Sequence, residues 1–499
     1  MDYIVAFDQG TTSSRCMIFD REGKVVARAQ EESKRYFPRP GWVEQNAAEI
    51  WSSQLGMYFK ALTEAGLTSN DIAAIGIANQ RETTVVWNRH TGKPVCMAPV
   101  WQCRRGAPLI EEIVEAGHGE MIRAKTGLVP DAYFSASKLA WVLDNVEGVR
   151  EGAEAGDILF GTVDSWLIWQ MTKGATHATD YTNASRTLLF NIHTLEWDKE
   201  LLELFNIPEQ MLPEVKSSFE IFGLAEMDTR AQIPICGVLG DQQASLFAQC
   251  CFEVGDIKAT YGTGSFILMH TGDKPVASEH GLLTTIAFAW KAEGSDELNV
   301  TYALEGSVYS AGSTIQWLRD GLHFIRQAEE TEEIAKSVED NDGVFLVPAF
   351  NGLGAPHWDS NARGMLTGLT QGTTKAHIVR AALESIVFQA MEIIEVMAED
   401  AGMDIRELRV DGGASANDFI MQLQSDLLGV DVIRPQLTEA TALGAAMCAG
   451  IASGFWESAE DLYEIIRRDN TTFIPSHDAE ETARLEQGWK RAVRQTKAP

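Results

Sequence analysis

The residues best suited to chemistry stand in a short polar turn near the start of the chain, between two apolar runs that are each about one strand long. The first run ends at Asp8. The turn that follows offers a glycine, four hydroxyl groups and a guanidinium: Gly10, Thr11, Thr12, Ser13, Ser14 and Arg15. Backbone N–H groups and hydroxyls in such a turn can surround phosphate oxygens, and a carboxylate at the strand end can hold Mg²⁺. On its own, the pattern fits a plain β-hairpin with a polar turn equally well.

The same pattern recurs about half a chain length later. An apolar strand, residues 257–261, runs into the turn Gly262-Thr-Gly-Ser265, and a second apolar strand leaves it. A third turn, Asp411-Gly412-Gly413, separates a strand from a helix-forming segment. Short internal similarities also arise by chance, but two such turns indicate two related halves that enclose one nucleotide.

Length and hydrophobic pattern predict the elements that must position these turns. A chain of 499 residues is too long for one ordinary core, so two large domains are expected, with a boundary near residues 248–256. Strands alternate with helices, which is typical of α/β layers. Helical spacing predicts helices over residues 47–65, 108–123, 136–147, 307–318 and 479–495, and a long one between Thr374 and Gly402. Asn46 and Glu49 form a plausible capping pair for the first of them.

Composition excludes several classes of function. The net charge of −30 repels nucleic acid and anionic membranes. No uncharged apolar run reaches the length of a membrane span, so no membrane insertion is expected. Seven scattered cysteines without a C-x-x-C pair predict reduced thiols in a cytoplasmic protein. The same negative field also repels ATP, so a nucleotide site needs local cations or backbone donors.

The known nucleotide-binding motifs are missing. The chain has no G-x-x-x-x-G-K-[ST] and no strand-linked G-x-G-x-x-G. What remains beside the three turns is Asp241, which follows a predicted strand and begins a predicted helix. Taken alone, Asp241 fits a simple helix cap, and Arg81 with Glu82 fits a pair of solvated charges. Trp101 and Phe266 taken alone fit core aromatics.

Taken together and in order, these segments resemble the glycerol kinases of the FGGY carbohydrate kinase family. The strings that carry the resemblance are Asp8-Gln-Gly-Thr-Thr-Ser-Ser-Arg15, Asn79-Gln-Arg-Glu-Thr83, Trp101-Gln-Cys-Arg-Arg105, Gly240-Asp-Gln-Gln243, Tyr261-Gly-Thr-Gly264 and Val410-Asp-Gly-Gly413. The resemblance runs from residue 3 to about residue 455. It implies an α/β fold of two actin-like (ribonuclease H-like) domains that flank an ATP cleft. Residues 1–251 would bind polyol and phosphate, and residues 252–499 the nucleotide.

The resemblance also implies a reaction: ATP and glycerol give ADP and sn-glycerol 3-phosphate, with Mg²⁺ as cofactor. A homodimer or homotetramer is expected from the family. Two alternatives stay open at this point. One is another polyol or sugar kinase of the same family, and the other is an actin-like ATP-binding protein that has no acceptor substrate.

Each role carried over from the family must make physical sense at its residue. Asp241 is the expected general base, since it can accept the proton of the attacking hydroxyl. Side chains that form hydrogen bonds with hydroxyl groups would bind glycerol, and two aromatic rings would pack on its CH₂ edge. The hydrogen-bonding residues would be Arg81, Glu82, Tyr133, Asp241 and Gln242, and the aromatic residues would be Trp101 and Phe266. The nucleotide would be bound by Thr11, Thr12, Ser13, Arg15, Thr263, Gly312, Gln316, Gly413 and Asn417. Asp8 and Asp241 would position Mg²⁺.

Two departures from relatives concern regulation. Some bacterial relatives bind fructose 1,6-bisphosphate in a loop rich in glycine and arginine. The corresponding residues 224–233 lack the glycines and have Gln232 near the family's arginine. Other relatives are activated by phosphorylation of a loop histidine, and residues 217–221 contain none. We therefore expect inhibition by fructose 1,6-bisphosphate to be absent or weak and activation by histidine phosphorylation to be absent.

Overall fold

The structure, a computed structural model, describes residues 2–228, 231–291, 297–350, 352–359, 361–436, 439–458, 462, 470–476 and 478–497. Two mixed sheets form its two halves. The N-terminal sheet contains β1 (Tyr3–Gln9), β2 (Ser13–Phe19), β3 (Val25–Glu32), β4 (Ile72–Asn79), β5 (Gly223–Ala225) and β6 (Ile233–Gly240). The C-terminal sheet contains β7 (Ile257–Tyr261), β8 (Ser265–Gly272), β9 (Leu283–Lys291), β10 (Leu298–Val308), β11 (Glu407–Asp411), β12 (Asp431–Arg434) and β13 (Thr471–Phe473).

The two sheets have the same topology. Their strand orders are β3-β2-β1-β4-β6-β5 and β10-β8-β7-β11-β12-β13, with β9 added beside β10. In each half an antiparallel meander is followed by two parallel strands and closed by an antiparallel edge strand. The repeat of the glycine-rich turns therefore reflects a repeat of the whole sheet, and the predicted pair of related α/β halves is confirmed.

Helices connect the strands and cover the sheets. In the N-terminal half they are α1 (Ala47–Ala65), α2 (Ala107–Glu115), α3 (Gly119–Thr126), α4 (Ser135–Asn145), α5 (Val149–Glu154), α6 (Val163–Met171), α7 (Tyr181–Ala184), α8 (Lys199–Leu204) and α9 (Asp241–Ala248). In the C-terminal half they are α10 (Gly312–Gln316), α11 (Glu330–Lys336), α12 (Lys375–Ala401), α13 (Asp418–Leu428), α14 (Ala440–Ala452) and α15 (Ala479–Thr496). Among the residues that the structure describes, no helix is both long enough and apolar enough to cross a membrane.

Short strands complete the architecture. They are Glu44–Gln45, Val85–Asn88, Lys93–Pro94, Ala98–Pro99, Ile158–Gly161, Ala178–Asp180, Phe190–Asn191, Glu196–Trp197, Glu214–Lys216, Phe345–Val347 and Met365–Thr367. The segment 80–106, which carries two of the motifs, runs between β4 and α2 and contributes three of these short strands.

The two halves meet where α9 and α14 pack against each other and against the N-terminal sheet. Their buried apolar residues belong to one core cluster, which also includes residues of β1, β4 and β6. Glycines make the approach close: a Cβ at Gly237 would lie 2.6 Å from the backbone nitrogen of Ala449, and a Cβ at Gly76 would overlap the carbonyl of Ala445. A helix of the C-terminal half therefore rests on the sheet of the N-terminal half with backbone against backbone.

Several predicted helices are right and two differ. Asn46 caps α1 by accepting a hydrogen bond from the N–H of Ala48, but Glu49 accepts from the hydroxyl of Tyr36 instead of closing a capping box. The helix predicted over 108–123 is two helices, α2 and α3, because Gly117 takes a left-handed φ of 90° between them. The helix predicted over 307–318 is wrong at its start, since β10 continues to Val308.

Candidate active site

The N-terminal polar turn connects β1 to β2 as a tight hairpin. The N–H of Gly10 donates to the carbonyl of Ser13 at 2.9 Å, which closes the turn. Thr11 and Ser13 are half-buried, and Thr12 is exposed at the tip. The hydroxyls are therefore presented at the end of the sheet, as a phosphate-binding turn requires.

Asp8 and Arg15 lie directly opposite each other on β1 and β2. The Nη1 atom of Arg15 lies 3.2 Å from Oδ2 of Asp8. Burial raises the pKa of Asp8 to about 6; the Arg15 guanidinium opposes this shift, and the negative charge of Asp241 adds to it. Asp8, at the end of the first strand, is therefore near enough to the predicted general base for the two carboxylates to interact electrostatically.

Asp241 begins α9, immediately after β6 ends. Its side chain is 27% exposed, and its Oδ1 atom lies 3.3 Å from Nε of Arg81. Burial raises the pKa of Asp241, although the positive charges of Arg81 and Lys258 act in the opposite direction. A partly exposed carboxylate with a raised pKa, beside a phosphate-type turn, is suited to accept a proton from a bound hydroxyl.

Arg81 is not a solvated charge. It lies two residues beyond β4 and is buried. Both of its Nη atoms donate to the carboxylate of Glu305, at 2.6 and 2.8 Å, and Nη1 also donates to Oε1 of Gln243 at 3.1 Å. Such a bidentate pair holds the guanidinium plane in one orientation, with its Nε edge toward Asp241.

Glu82 is held just as firmly and carries backbone strain. Its φ of 62° lies in the left-handed region, which is unfavourable for a residue other than glycine. The hydroxyl of Ser135 donates to its carbonyl at 2.9 Å, and Nε of Arg186 donates to its Oε1 atom at 2.7 Å. Strain retained by surrounding hydrogen bonds points to a functional position.

Trp101 links the polar turn to an aromatic wall. Its indole N–H donates to the hydroxyl of Thr11 at 2.8 Å, and its ring meets that of Tyr133 edge to face with centroids 5.4 Å apart. The buried ammonium of Lys138 donates to the three carbonyls of residues 132–134, at 2.5 to 2.8 Å. These contacts fix Tyr133 beside Trp101 and oppose the interpretation of Trp101 as a plain core residue.

Gln242 and Phe266 meet through a buried lysine. The Nζ atom of Lys258 donates to Oε1 of Gln242 at 2.6 Å and to the hydroxyl of Thr260 at 2.9 Å, and it lies 3.5 Å from the carbonyl of Phe266. Burial lowers the pKa of Lys258 to about 8. Phe266 is half-buried on β8, opposite Thr260, so this predicted acceptor contact comes from the C-terminal half.

The second and third glycine-rich turns are adjacent in space. The N–H of Gly312 donates to the carbonyl of Gly262 at 3.0 Å, which joins the start of α10 to the turn that carries Thr263. Gly412 has a left-handed φ of 87°, and a Cβ there would lie 2.6 Å from the carbonyl of Tyr261. Thr263 and Gly312 therefore lie together, with the Gly412 turn beside them.

The remaining predicted nucleotide contacts follow these turns. Gly413 is exposed, next to Gly412. Asn417 caps α13 by accepting from the N–H of Ile420, and its side-chain amide donates to the hydroxyl of Thr331 at 3.2 Å. Gln316 is exposed at the last position of α10. These residues belong to the C-terminal half, and their roles in nucleotide binding stay predictions.

Sequence reasoning missed three buried charges at the centre of the site: Arg186, Lys258 and Glu305. Lys258 and Glu305 stand inside strands whose neighbouring residues are mostly apolar. A single charge in such a strand signals either a partner or a functional role, because an unpaired buried charge is very costly. That signal was available but could not identify the partners.

The carboxylates of Asp8 and Asp241 fit the Mg²⁺ that the sequence resemblance implies. The described residues contain no cluster of three or more His, Cys, Asp or Glu side chains arranged to hold a metal. Mg²⁺ is usually bound by one or two carboxylates together with substrate phosphates and water, so a closed protein cage is not expected. The mutual electrostatic repulsion of Asp8 and Asp241 is the property that a bound cation would relieve.

Comparison with known proteins assigns the chain to a family. The N-terminal domain model of the FGGY family of carbohydrate kinases matches residues 3–248, and its C-terminal domain model matches residues 257–453. This chain belongs to the FGGY family of carbohydrate kinases. Together the two models cover most of the chain, with the match interrupted only between α9 and β7.

Relatives within the FGGY family are similar over nearly their whole length. The chain is 56% identical to glycerol kinase 2 of Thermotoga maritima over 494 residues, which is 99% of this chain and 98% of the relative. It is 54% identical to glycerol kinase of Burkholderia pseudomallei over 497 residues, 99% of this chain and 98% of the relative. The solved structure of Plasmodium falciparum glycerol kinase with ADP superposes with a TM-score of 0.93 at 37% identity, covering 100% of this chain and 99% of that one. A xylulose kinase from Lactobacillus acidophilus shares the fold, with a TM-score of 0.87 at 20% identity over 99% of this chain and 98% of its own.

Proposed function

We propose that this FGGY kinase transfers the terminal phosphoryl group of ATP to glycerol, with ADP and sn-glycerol 3-phosphate as products. The names of its relatives support this substrate, because proteins called glycerol kinase are 54 to 56% identical over nearly the full chain. The observation that carries the proposal is the position of Asp241. It contacts Arg81 at 3.3 Å and interacts electrostatically with Asp8 of the phosphate-type turn.

The acceptor-binding side chains match a small polyol. Arg81 donates to hydroxyl oxygens, Glu82 accepts from hydroxyl protons, and Tyr133 and Gln242 add further polar partners. Trp101 and Phe266 pack against the CH₂ edge of the substrate, as an apolar edge requires. A site whose buried side chains form hydrogen bonds with the hydroxyl groups of the substrate rejects analogues that lack a hydroxyl group, because polar groups of the site would be left unpaired.

Asp241 acts as the general base. It accepts the proton of the attacking terminal hydroxyl and orients that oxygen in line with the γ-phosphorus. In a loose phosphoryl-transfer transition state the proton leaves late, so orientation and charge matter as much as proton removal. Arg81 fixes the base from one side through its Nε edge, which lies 3.3 Å from Oδ1 of Asp241.

The phosphates lie between the two glycine-rich turns. Thr11, Thr12, Ser13 and Arg15 hold the β- and γ-phosphates from one half, and Thr263 holds them from the other. Gly312, Gln316, Gly413 and Asn417 line the nucleotide side. Asp8 and Asp241 would hold Mg²⁺, which would neutralise charge on the phosphate oxygens. Closure of the halves over the cleft excludes water, which otherwise competes as acceptor.

A coupled ADP-release assay with glycerol, xylulose, ribulose and gluconate tests the proposal. We expect saturable, Mg²⁺-dependent ADP release with glycerol and little with the sugars, and sn-glycerol 3-phosphate as the product identified by mass spectrometry and chiral analysis. A preference for a sugar would make the chain another kinase of the family. ATP hydrolysis that no acceptor stimulates would identify an actin-like ATP-binding protein that has no acceptor substrate.

Other expectations belong to the same proposal. The domain division at residues 251 and 252 and a homodimer or homotetramer are predictions, and light scattering after gel filtration measures the latter. We also propose that inhibition by fructose 1,6-bisphosphate is absent or weak and that histidine phosphorylation does not activate this chain. Thr229 and Arg230, within the segment that corresponds to the sugar-phosphate loop, lie outside the described residues. A submicromolar inhibition constant for fructose 1,6-bisphosphate would contradict this expectation.

A further inference from the structure

Two buried charged residues that belong to none of the sequence motifs contact the proposed acceptor-binding pair directly. Glu305, on β10 of the C-terminal half, is fully buried and accepts from both Nη atoms of Arg81. Arg186, also fully buried, donates through Nε to Glu82 at 2.7 Å and through Nη2 to Glu305 at 3.0 Å. Since Nε of Arg81 lies 3.9 Å from Oε1 of Glu82, the four side chains form a closed ring of charges.

The ring is electrically balanced, with two guanidiniums and two carboxylates. A buried ion pair costs desolvation energy unless its members are well hydrogen-bonded, and these contacts are short and include a bidentate pair. Burial alone would raise the pKa of Glu305, but the Arg186 and Arg81 guanidiniums hold it at about 2. Glu305 is therefore a permanent negative charge that anchors both arginines.

The anchoring removes the freedom that an arginine side chain normally has. With both Nη atoms bound to Glu305 and Nη1 also bound to Gln243, the guanidinium of Arg81 cannot rotate without breaking charge-assisted bonds. Its stem is confined as well, since a Cβ at Gly240 would lie 2.7 Å from Cδ of Arg81. On the other side of the ring, Arg186 fixes the carboxylate of Glu82.

We propose that Glu305 and Arg186 are positioning residues for the acceptor site. They lock Arg81 and Glu82 in the orientation in which these residues bind hydroxyl groups, and thereby set the affinity for the acceptor. This inference rests on the proposed function, since it assumes that Arg81 and Glu82 bind the polyol. Because Glu305 is on the C-terminal sheet and Arg81 and Glu82 follow β4 of the N-terminal sheet, the acceptor site depends on both halves.

The test is Glu305→Gln, which keeps the size of the side chain and removes its charge. We expect the KM for glycerol to rise roughly ten- to hundred-fold, as loss of a hydrogen bond to a charged group predicts, while the KM for ATP stays unchanged. The matched control is Glu384→Gln. Glu384 is equally buried, with Arg380 at 2.9 Å and Asn341 at 2.8 Å, but it lies on α12 and outside the charge ring, and we expect both KM values of this variant to equal those of wild type.

Two further variants test the positioning role of Glu305 and Arg186 if Glu305→Gln does not fold. Glu305→Asp keeps the charge but shortens the side chain by one methylene group. In Arg186→Lys, the lysine lacks the planar, forked guanidinium with which Arg186 donates to both Glu82 and Glu305. Thermal unfolding identifies the folded variants, and each of these should again raise the KM for glycerol alone. Folded variants with an unchanged KM for glycerol, or with KM values for glycerol and ATP that rise together, overturn the proposal. Absence of glycerol phosphorylation by the wild-type protein would instead refute the proposed function.

Discussion

Replacement of Asp241 by asparagine removes the negative charge of the side chain and keeps its shape. The amide oxygen of asparagine can still accept the hydrogen bond that the Gln242 N–H gives to Oδ1 at 2.8 Å, so the first turn of α9 should persist. What disappears is the negative charge beside Arg81 and the ability to take a proton. The variant therefore tests the assigned role of the carboxylate with little change in packing.

The expected loss of turnover follows from that role. General-base catalysis contributes roughly 10²- to 10⁴-fold, and we expect a fall in kcat toward the lower end because the proton leaves late in a loose transition state. Affinity for ADP measured without Mg²⁺ should be unchanged, since Gly262, Gly312 and Gly412 belong to the C-terminal half and Asp241 to the N-terminal half.

The same substitution should make the protein more stable. Burial raises the pKa of Asp241 above its unfolded value, so ionisation is less favourable in the folded state than in the unfolded state. At neutral pH the ionised carboxylate therefore costs stability, and asparagine removes that cost. We expect the Tm of Asp241→Asn, measured without nucleotide or Mg²⁺ at pH 7.5, to exceed that of wild type.

Three measurements decide the outcome: kcat at saturating glycerol and ATP, ADP affinity by calorimetry, and Tm by differential scanning fluorimetry. The control is Asp478→Asn, because Asp478 caps α15 through its side chain and asparagine caps as well. Near-normal turnover would end the general-base assignment. A lower Tm than wild type would refute the argument that burial opposes ionisation.

Three other substitutions test the site and the fold. Asp164 is buried with a pKa raised from 3.8 to about 7, first by desolvation, so Asp164→Asn should stabilise the protein at pH 8 by up to about 4 kcal/mol and have no effect below pH 4. Gly237→Ala should lower the free energy of unfolding by about 1 to 3 kcal/mol or more in denaturant titrations, because its Cβ would lie 2.6 Å from the nitrogen of Ala449. Trp101→Phe loses the bond to Thr11 and should raise the KM for glycerol about three- to ten-fold in the coupled assay.

Two of these substitutions have a matched control. Gly56→Ala lies in the middle of α1 with open space around its Cβ, so it should be neutral or stabilising where Gly237→Ala is not. Asp144→Asn, at an exposed carboxylate, should change the Tm at pH 8 much less than Asp164→Asn does. A pH-independent effect of Asp164→Asn would contradict its raised pKa. An unchanged KM in Trp101→Phe would show that the indole N–H does not support the acceptor site.

The parts of the fold that depend on local chemistry could be predicted from the sequence. The meander of residues 3–32 follows from apolar runs separated by turn residues, and α12 follows from its helical stripe and from Gly402 at its end. The split between α2 and α3 was missed because a single Gly117 does not distinguish a tolerated glycine from a left-handed break. The extension of β10 to Val308 was missed because strand pairing with β8, a non-local contact, decided it.

The candidate site divides in the same way. Asp8, Arg81 and Asp241 were found because they stand in recognisable strings. Glu305 and Arg186 were not found. Glu305 is 224 residues from Arg81 and Arg186 is 104 residues from Glu82, and a buried charge in a sequence does not indicate which residue is its counterion. Pairings at such separations depend on the relative position of the two halves, which no local pattern in a single sequence contains.

The contact between α14 and the N-terminal sheet has a mechanical consequence. At Gly76 and Gly237 the main chain of one half touches the main chain of α14 without intervening side chains. Long side chains that interlock across an interface resist relative movement, because each must change rotamer before the surfaces can slide. At these two positions no rotamer stands in the way, so the contact of α14 with β4 and β6 is suited to be the pivot of the proposed closure.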